Sequence, residues 1–152
     1  MRLLIKKLLR ENLIKESVQL IRVNDIESDE LYDSMINQSK DLAKGEIGFG
    51  AAEPFGLLIK DNRELVGATW LESSGNFTFH IFIKPEYRGK GLSKLLLDDL
   101  MSKYQQMKSY KGDDYKIMVN VVNDKLGDTL INKYGFEKVE DNGQGGMILV
   151  KN

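Results

Sequence analysis

At 152 residues the chain is long enough for one domain with one sizeable core and needs no staples. It has no cysteine, which excludes disulfides, thiolate metal sites and a cysteine nucleophile and fits a reducing, cytoplasmic setting. With 22 basic and 23 acidic residues the formal net charge is −1, so no overall field draws the protein to nucleic acid or to a membrane. No apolar run approaches the ~20 residues of a spanning helix, and a soluble protein is expected.

Residues 2–15 set Leu3, Leu4, Ile5, Leu8, Leu9, Leu13 and Ile14 among Arg2, Lys6, Lys7, Arg10 and Lys15, the pattern of a basic amphipathic helix. The basic residues interrupt its apolar stretch and no small-residue cleavage site follows, which argues against a signal peptide. Such a helix can lie on anionic lipid. The plainer expectation is that its leucines pack on the domain or on a second copy of the chain. Residues 18–23 are β-rich with little alternation, which suits a first strand buried on both faces. Ser28 can then cap a helix from Asp29 to about Lys44, with Leu31, Met35 and Leu42 along one side. Three glycines and a proline in residues 45–54 break regular structure and predict a loop.

Residues 55–60 and 64–71 are two β-rich runs separated by Asp61-Asn62-Arg63, a hairpin signal. After a turn at residues 73–76, the run 77–83 reads as a third strand, which Pro85 should stop because it has no backbone donor and a fixed φ. Gly89 and Gly91 leave the backbone of Arg88-Gly89-Lys90-Gly91-Leu92-Ser93 free to curl toward a ligand. Leu92, Leu95, Leu96, Leu100, Tyr104 and Met107 then recur at helical spacing, so the loop opens into a helix N-terminus, whose dipole favours an anion. A polar loop at 109–114 leads to a strand at 115–122, and strand, helix, strand in that order predicts a right-handed parallel crossover. Asn123 or Asp124 can cap a last helix carrying Leu126, Leu130, Ile131 and Tyr134, with Gly135 as its stop. Residues 136–141 and 147–151 read as a closing hairpin.

The loop is neither the P-loop nor the dinucleotide fingerprint. The string Pro85-Glu86-Tyr87-Arg88-Gly89-Lys90-Gly91-Leu92-Ser93 closely resembles the acyl-CoA pyrophosphate loop of the GNAT superfamily of N-acyltransferases, usually Gln/Arg-x-x-Gly-x-Gly/Ala. Arg88 fills the first position and Gly91 the fourth, and Ser93 stands where Gly or Ala is commonest. The resemblance implies an α/β (α+β) GNAT fold over residues 17–152, a mixed, mostly antiparallel sheet flanked by helices, with residues 1–16 as an added amphipathic helix that could pair copies of the chain. It implies acetyl-CoA as co-substrate and an amine acceptor, with Phe49 and Glu53 as candidate acceptor contacts. By the same resemblance Ile81 and Ile83 offer main-chain groups to pantetheine, Arg88, Gly89, Lys90, Gly91, Leu92 and Ser93 receive the pyrophosphate, and Asn123 or Asp124 lies near the cofactor.

Acyl transfer to an amine needs a neutral nucleophile, support for an oxyanion and a proton for the departing thiolate. His80, the only histidine, is a candidate base, since an ordinary pKa of ~6.5 suits the role. Strand alternation leaves open which face it takes, and Glu72 is the rival base. Many GNAT enzymes carry an acid Tyr four residues before the Gly-Phe pair that follows the last helix. Here Leu130-Ile131-Asn132-Lys133-Tyr134-Gly135-Phe136 has Ile131 at that place, and Tyr134, three residues on, is the candidate substitute. Two other readings remain open: a catalytically degenerate GNAT-like domain acting as an acyl-CoA-binding or interaction module, and an acceptor that is a nucleic acid.

Overall fold

The computed structural model describes residues 17–44, 53–61, 63–72, 75–121, 124–141 and 147–151. The amphipathic helix expected at 2–15, and the candidates Phe49 and Asn123, lie outside the described residues. The strands are β1 (Val18–Arg22), β2 (Gly56–Lys60), β3 (Leu65–Glu72), β4 (Phe77–Ile83), β5 (Ile117–Val121), β6 (Glu137–Asp141) and β7 (Met147–Lys151). The helices are α1 (Asp29–Lys44), α2 (Leu92–Lys111) and α3 (Asp124–Tyr134). The strands form one sheet in the order β1-β2-β3-β4-β5-β7-β6. It is mixed: β1 with β2, β2 with β3, β5 with β7 and β6 with β7 run antiparallel, and β4 with β5 runs parallel, as the crossover through α2 requires. The chain divides into two compact units, Met1–Trp70 with Ile81–Leu100, and Leu71–His80 with Met101–Asn152.

In the first unit the strands bury both faces. Leu57 and Ile59 of β2 pack with Met35 and Ala43 of α1, while Leu58 between them packs with Leu92 and Leu96 of α2. Strand alternation thus places the two helices on opposite faces. β3 departs from alternation. Leu58 pairs with Gly67 but Ile59 with Leu65, so Val66 is an extra residue, a β-bulge. It lets Leu65, Ala68 and Trp70 all join the α1 side while Val66 joins the α2 side. Gly67 is glycine for a reason of space: a Cβ there would lie 3.0 Å from the Phe82 carbonyl oxygen and 3.1 Å from Ile83 Cγ1.

β1 differs from the doubly buried strand expected at 18–23. Among the described residues it is an edge strand with one partner, β2, and of its residues only Val18 is buried, while Val23 turns out of the strand into a short 3-10 segment. Composition signals β-structure but not the number of neighbours, which is decided by the rest of the sheet. Ser28 caps α1 as expected, its Oγ accepting the Leu31 N–H at 3.2 Å. Gln38 then ties α1 to the β2–β3 hairpin, donating to the Arg63 carbonyl at 3.1 Å and accepting the Leu65 N–H at 2.9 Å. Arg63 holds φ 64°, and these two bonds stabilise a conformation that non-glycine residues seldom adopt. The other end of the unit is fastened by Arg22, whose Nη2 and Nε donate to Asp99 Oδ1 of α2 at 2.9 and 3.1 Å, with its guanidinium 5.0 Å from the centre of the Phe55 ring.

The second unit is built around Phe77, Tyr104 and Tyr115. Phe77 meets both tyrosines edge-on, with ring centres 5.5 and 6.5 Å apart. The buried Tyr104 hydroxyl donates to the Tyr115 carbonyl at 2.8 Å. Phe77 and Phe79 are buried and Thr78 and His80 half-buried, the alternation of a strand with one packed face. Gly135, at φ 74°, ends α3 as predicted, and the Phe136 N–H reaches back to the Leu130 carbonyl at 3.1 Å. Lys151 Nζ donates to the Tyr134 carbonyl at 2.6 Å, placing a cation at the negative end of the helix. β6 lies at the sheet edge with every residue exposed, including Val139. Among the described residues no helix is long and apolar enough to cross a membrane.

Candidate functional site

The glycine loop belongs to the first unit and grows directly out of β4. The Lys84 N–H reaches the Val66 carbonyl at 2.9 Å, holding the strand's end, and Pro85 starts a 3-10 turn over Pro85–Tyr87. The Tyr87 and Arg88 N–H groups close that turn on the Lys84 and Pro85 carbonyls at 2.9 and 3.2 Å. Gly89 and Gly91 both adopt φ 76°, a region costly to residues with a Cβ. A Cβ at Gly89 would meet nothing within 4 Å, so this position calls for glycine by its backbone angle and not by crowding. The chain then enters α2 at Leu92, which is 1% exposed and anchors the helix start in the core. The first N–H groups of a helix have no acceptor within it, so this turn presents donors and the positive end of a dipole beside the two glycines. Lys90 and Ser93 are partly buried.

Arg88 turns back on the strand instead of standing away from it. Its Nε donates to the Ile83 carbonyl at 2.7 Å, and its guanidinium carbon lies 5.1 Å from the Phe82 ring centre. The side chain therefore ties the start of the loop to the end of β4, and the Ile83 carbonyl is already engaged. Ile81 packs on the same apolar cluster as Ile83, with Val18, Leu58, Leu92 and Leu96. In the same unit Glu53 Oε1 accepts the Tyr32 hydroxyl at 2.8 Å, and that hydrogen bond raises the Tyr32 pKa.

His80, Glu72 and Tyr134 belong to the second unit, so the fold assigns the loop and the three proton-transfer candidates to different units. His80 is half-buried on β4, and burial lowers its pKa, which keeps the imidazole neutral near pH 7. Glu72 is exposed at the last position of β3. Tyr134 is partly buried at the last position of α3, its carbonyl held by Lys151, and Ile131 is also partly buried. Among the described residues no group of three His, Cys, Asp or Glu is placed to hold a metal ion.

Residues 15–150 match the family described as acetyltransferase (GNAT) domain. The chain belongs to the GNAT acetyltransferase family. No curated protein matches it significantly. Among solved structures it resembles Arabidopsis thaliana Naa50 in complex with the bisubstrate analogue CoA-Ac-MVNAL, with TM-score 0.60 and 18% identity over 90% of this chain and 99% of that one. It likewise resembles a GNAT superfamily phosphinothricin acetyltransferase from Sinorhizobium meliloti in complex with AcCoA, with TM-score 0.63 and 12% identity over 89% and 88% of the two chains. A chain of the NatC complex bound to Gag peptide and CoA matches with TM-score 0.57 and 16% identity over 88% and 97%. At such identities the likeness is one of fold, and it establishes the GNAT fold with a mixed sheet between helices.

Within this GNAT chain, sequence reading missed the contacts that hold the loop from outside. Lys60, the last residue of β2, donates its Nζ to the Tyr87 hydroxyl at 3.1 Å, and Lys84 Nζ lies 3.4 Å from Glu64 Oε1 of the hairpin. Only the hairpin signal at residues 61–63 pointed that way, since it puts Lys60 at a strand end.

Proposed function

We propose that this GNAT protein transfers an acetyl group from acetyl-CoA to a primary amine of a small molecule, peptide or protein. The observation that carries the reading is the loop 88–93: two glycines at φ 76° between the end of β4 and the first turn of α2, a backbone suited to a pyrophosphate. The AcCoA and CoA-peptide complexes of proteins with this fold support the choice of donor. In this reading Gly89, Lys90, Gly91, Leu92 and Ser93 receive the pyrophosphate through main-chain N–H groups, and Arg88 holds the loop in shape. Ile81 serves the pantetheine better than Ile83, whose carbonyl already accepts from Arg88.

The acceptor nitrogen attacks the thioester carbonyl carbon, a backbone N–H within residues 81–83 stabilises the oxyanion, and the C–S bond then breaks. His80 takes the ammonium proton. Its lowered pKa suits this, because a neutral imidazole can accept a proton at pH 7. Glu72 is the alternative base, and Tyr134 the candidate donor to the departing thiolate. The outer acceptor contact is assigned to Glu53.

Ile131, in place of the tyrosine common in the family, favours a second reading in which the domain binds acyl-CoA without turning it over. Two measurements separate the readings. Acetyl-CoA at ~100 times its dissociation constant adds about 2.7 kcal/mol of stability, enough to raise the melting point by a few degrees. That rise should vanish in Arg88→Glu. Free thiol released in the presence of an amine panel establishes transfer, whereas a melting shift without thiol establishes the binding module. Observing neither a melting shift nor free thiol would overturn the acyl-CoA assignment.

A further inference from the structure

We infer that the β2–β3 hairpin is the brace of the glycine loop, with Lys60 and Tyr87 as positioning residues that set the loop's shape before any ligand arrives. The inference rests on the acyl-CoA reading only for what the loop binds. Tyr87 immediately precedes Arg88 and packs its ring against the cluster of Val18, Leu58, Val66, Ile83, Leu92 and Leu96. Its hydroxyl accepts from Lys60 Nζ at 3.1 Å, while that nitrogen lies 5.3 Å from the ring centre. The shorter contact to oxygen places the ammonium off the hydroxyl edge, so a hydrogen bond, not a cation over a ring face, makes the link. That bond is the first cause of a raised Lys60 pKa, so the donor stays charged through the neutral range.

Lys60 is itself held in place. Its N–H reaches the Glu64 carbonyl at 2.9 Å, its carbonyl accepts from the Arg63 N–H at 2.8 Å, and it pairs with Val18 across β1 and β2. The hairpin also touches the segment before the loop a second time through Glu64 and Lys84 at 3.4 Å. On the other side Arg88 Nε closes on Ile83. Segment 84–88 is therefore gripped by the hairpin at Lys84 and Tyr87 and by its own strand at Arg88, and the two glycines follow directly from that gripped end. A flexible backbone at Gly89 and Gly91 binds an anion well only if its ordering does not have to occur at the moment of binding.

The test uses Lys60→Met, which keeps the stem, Tyr87→Phe, which keeps the ring, and Lys60→Arg, which keeps a donor. In ligand-free protein, amide hydrogen exchange at residues 89–92 should accelerate about three- to tenfold in the first two variants and stay near wild type in Lys60→Arg, while β7 amides exchange unchanged. The dissociation constant for acetyl-CoA, measured by titration calorimetry, should rise by a similar factor, with kcat unaltered wherever turnover is seen. Loop exchange unchanged in both Lys60→Met and Tyr87→Phe overturns the brace, as does faster exchange with undiminished acetyl-CoA affinity. If the wild type binds no acetyl-CoA, the acyl-CoA reading falls, and the exchange measurement still decides the brace.

Discussion

Asp99→Ala should destabilise the protein well beyond an ordinary surface substitution. Asp99 is 14% exposed and Arg22 34%, and the pair meets through Nη2 at 2.9 Å and Nε at 3.1 Å on one carboxylate oxygen. A hydrogen bond to a charged group contributes about 1.5–3 kcal/mol, and the partial exposure of Arg22 places this pair near the lower end. Removing the carboxylate also leaves a half-buried guanidinium whose remaining contact among the described residues is the Phe55 ring. A loss of about 1.5–2 kcal/mol follows, a fall in melting point of roughly 3–8 °C for a domain of this size. Urea unfolding of Asp99→Ala, Arg22→Met and the double variant isolates the pair, and a coupling near 1 kcal/mol is expected, weaker at 1 M salt. A coupling within about 0.3 kcal/mol of zero would refute the reasoning and make the contact incidental.

Gly89→Ala places a Cβ in open space at φ 76°, so it should lower stability by about 1–2 kcal/mol through the backbone alone and weaken acetyl-CoA binding; an unchanged melting point would mean the loop relaxes freely. His80, as the only histidine, gives one imidazole resonance, whose NMR titration midpoint should fall below the ordinary ~6.5. Because the folded pKa is lowered, protons bind the unfolded chain first. Stability attributable to His80 is complete above ~6.5 and declines as pH falls from there to the lowered native value, a slope that His80→Gln should flatten. Tyr104→Phe removes the buried donor to the Tyr115 carbonyl and should lose about 1–2 kcal/mol in urea unfolding without changing the m-value.

Much of this architecture can be read from neighbouring residues. Ser28 caps its helix and Gly135 ends its own because both signals act within one turn, and the glycine loop is visible for the same reason. The edge position of β1 escaped because a β-rich run carries no count of its partners. The Arg22–Asp99 pair joins residues 77 apart in sequence, and Gln38 reaches a hairpin more than 20 residues away, so no window of the chain contains either contact. At the site the loop was legible, but the turn of Arg88 back onto Ile83 depends on where β4 ends in space. The roles proposed for His80, Glu72 and Tyr134 depend on a substrate pose, which lies beyond any local pattern.

Val66 shows how a surplus residue in a strand can serve a loop beyond that strand. Its carbonyl receives Lys84, and its presence as a surplus residue lets Leu65 and Ala68 point the same way although they lie an odd number of positions apart. Deleting it would leave Leu65 two positions from Ala68, so Leu65, Ala68 and Trp70 would still face α1 along a regular ladder. What would go is the apolar contact on the α2 side and the carbonyl that receives the Lys84 N–H at the root of the loop. Replacing Val66 by another apolar residue would keep both. The surplus residue thus serves the loop and the α2 face, while the α1 face does not depend on it.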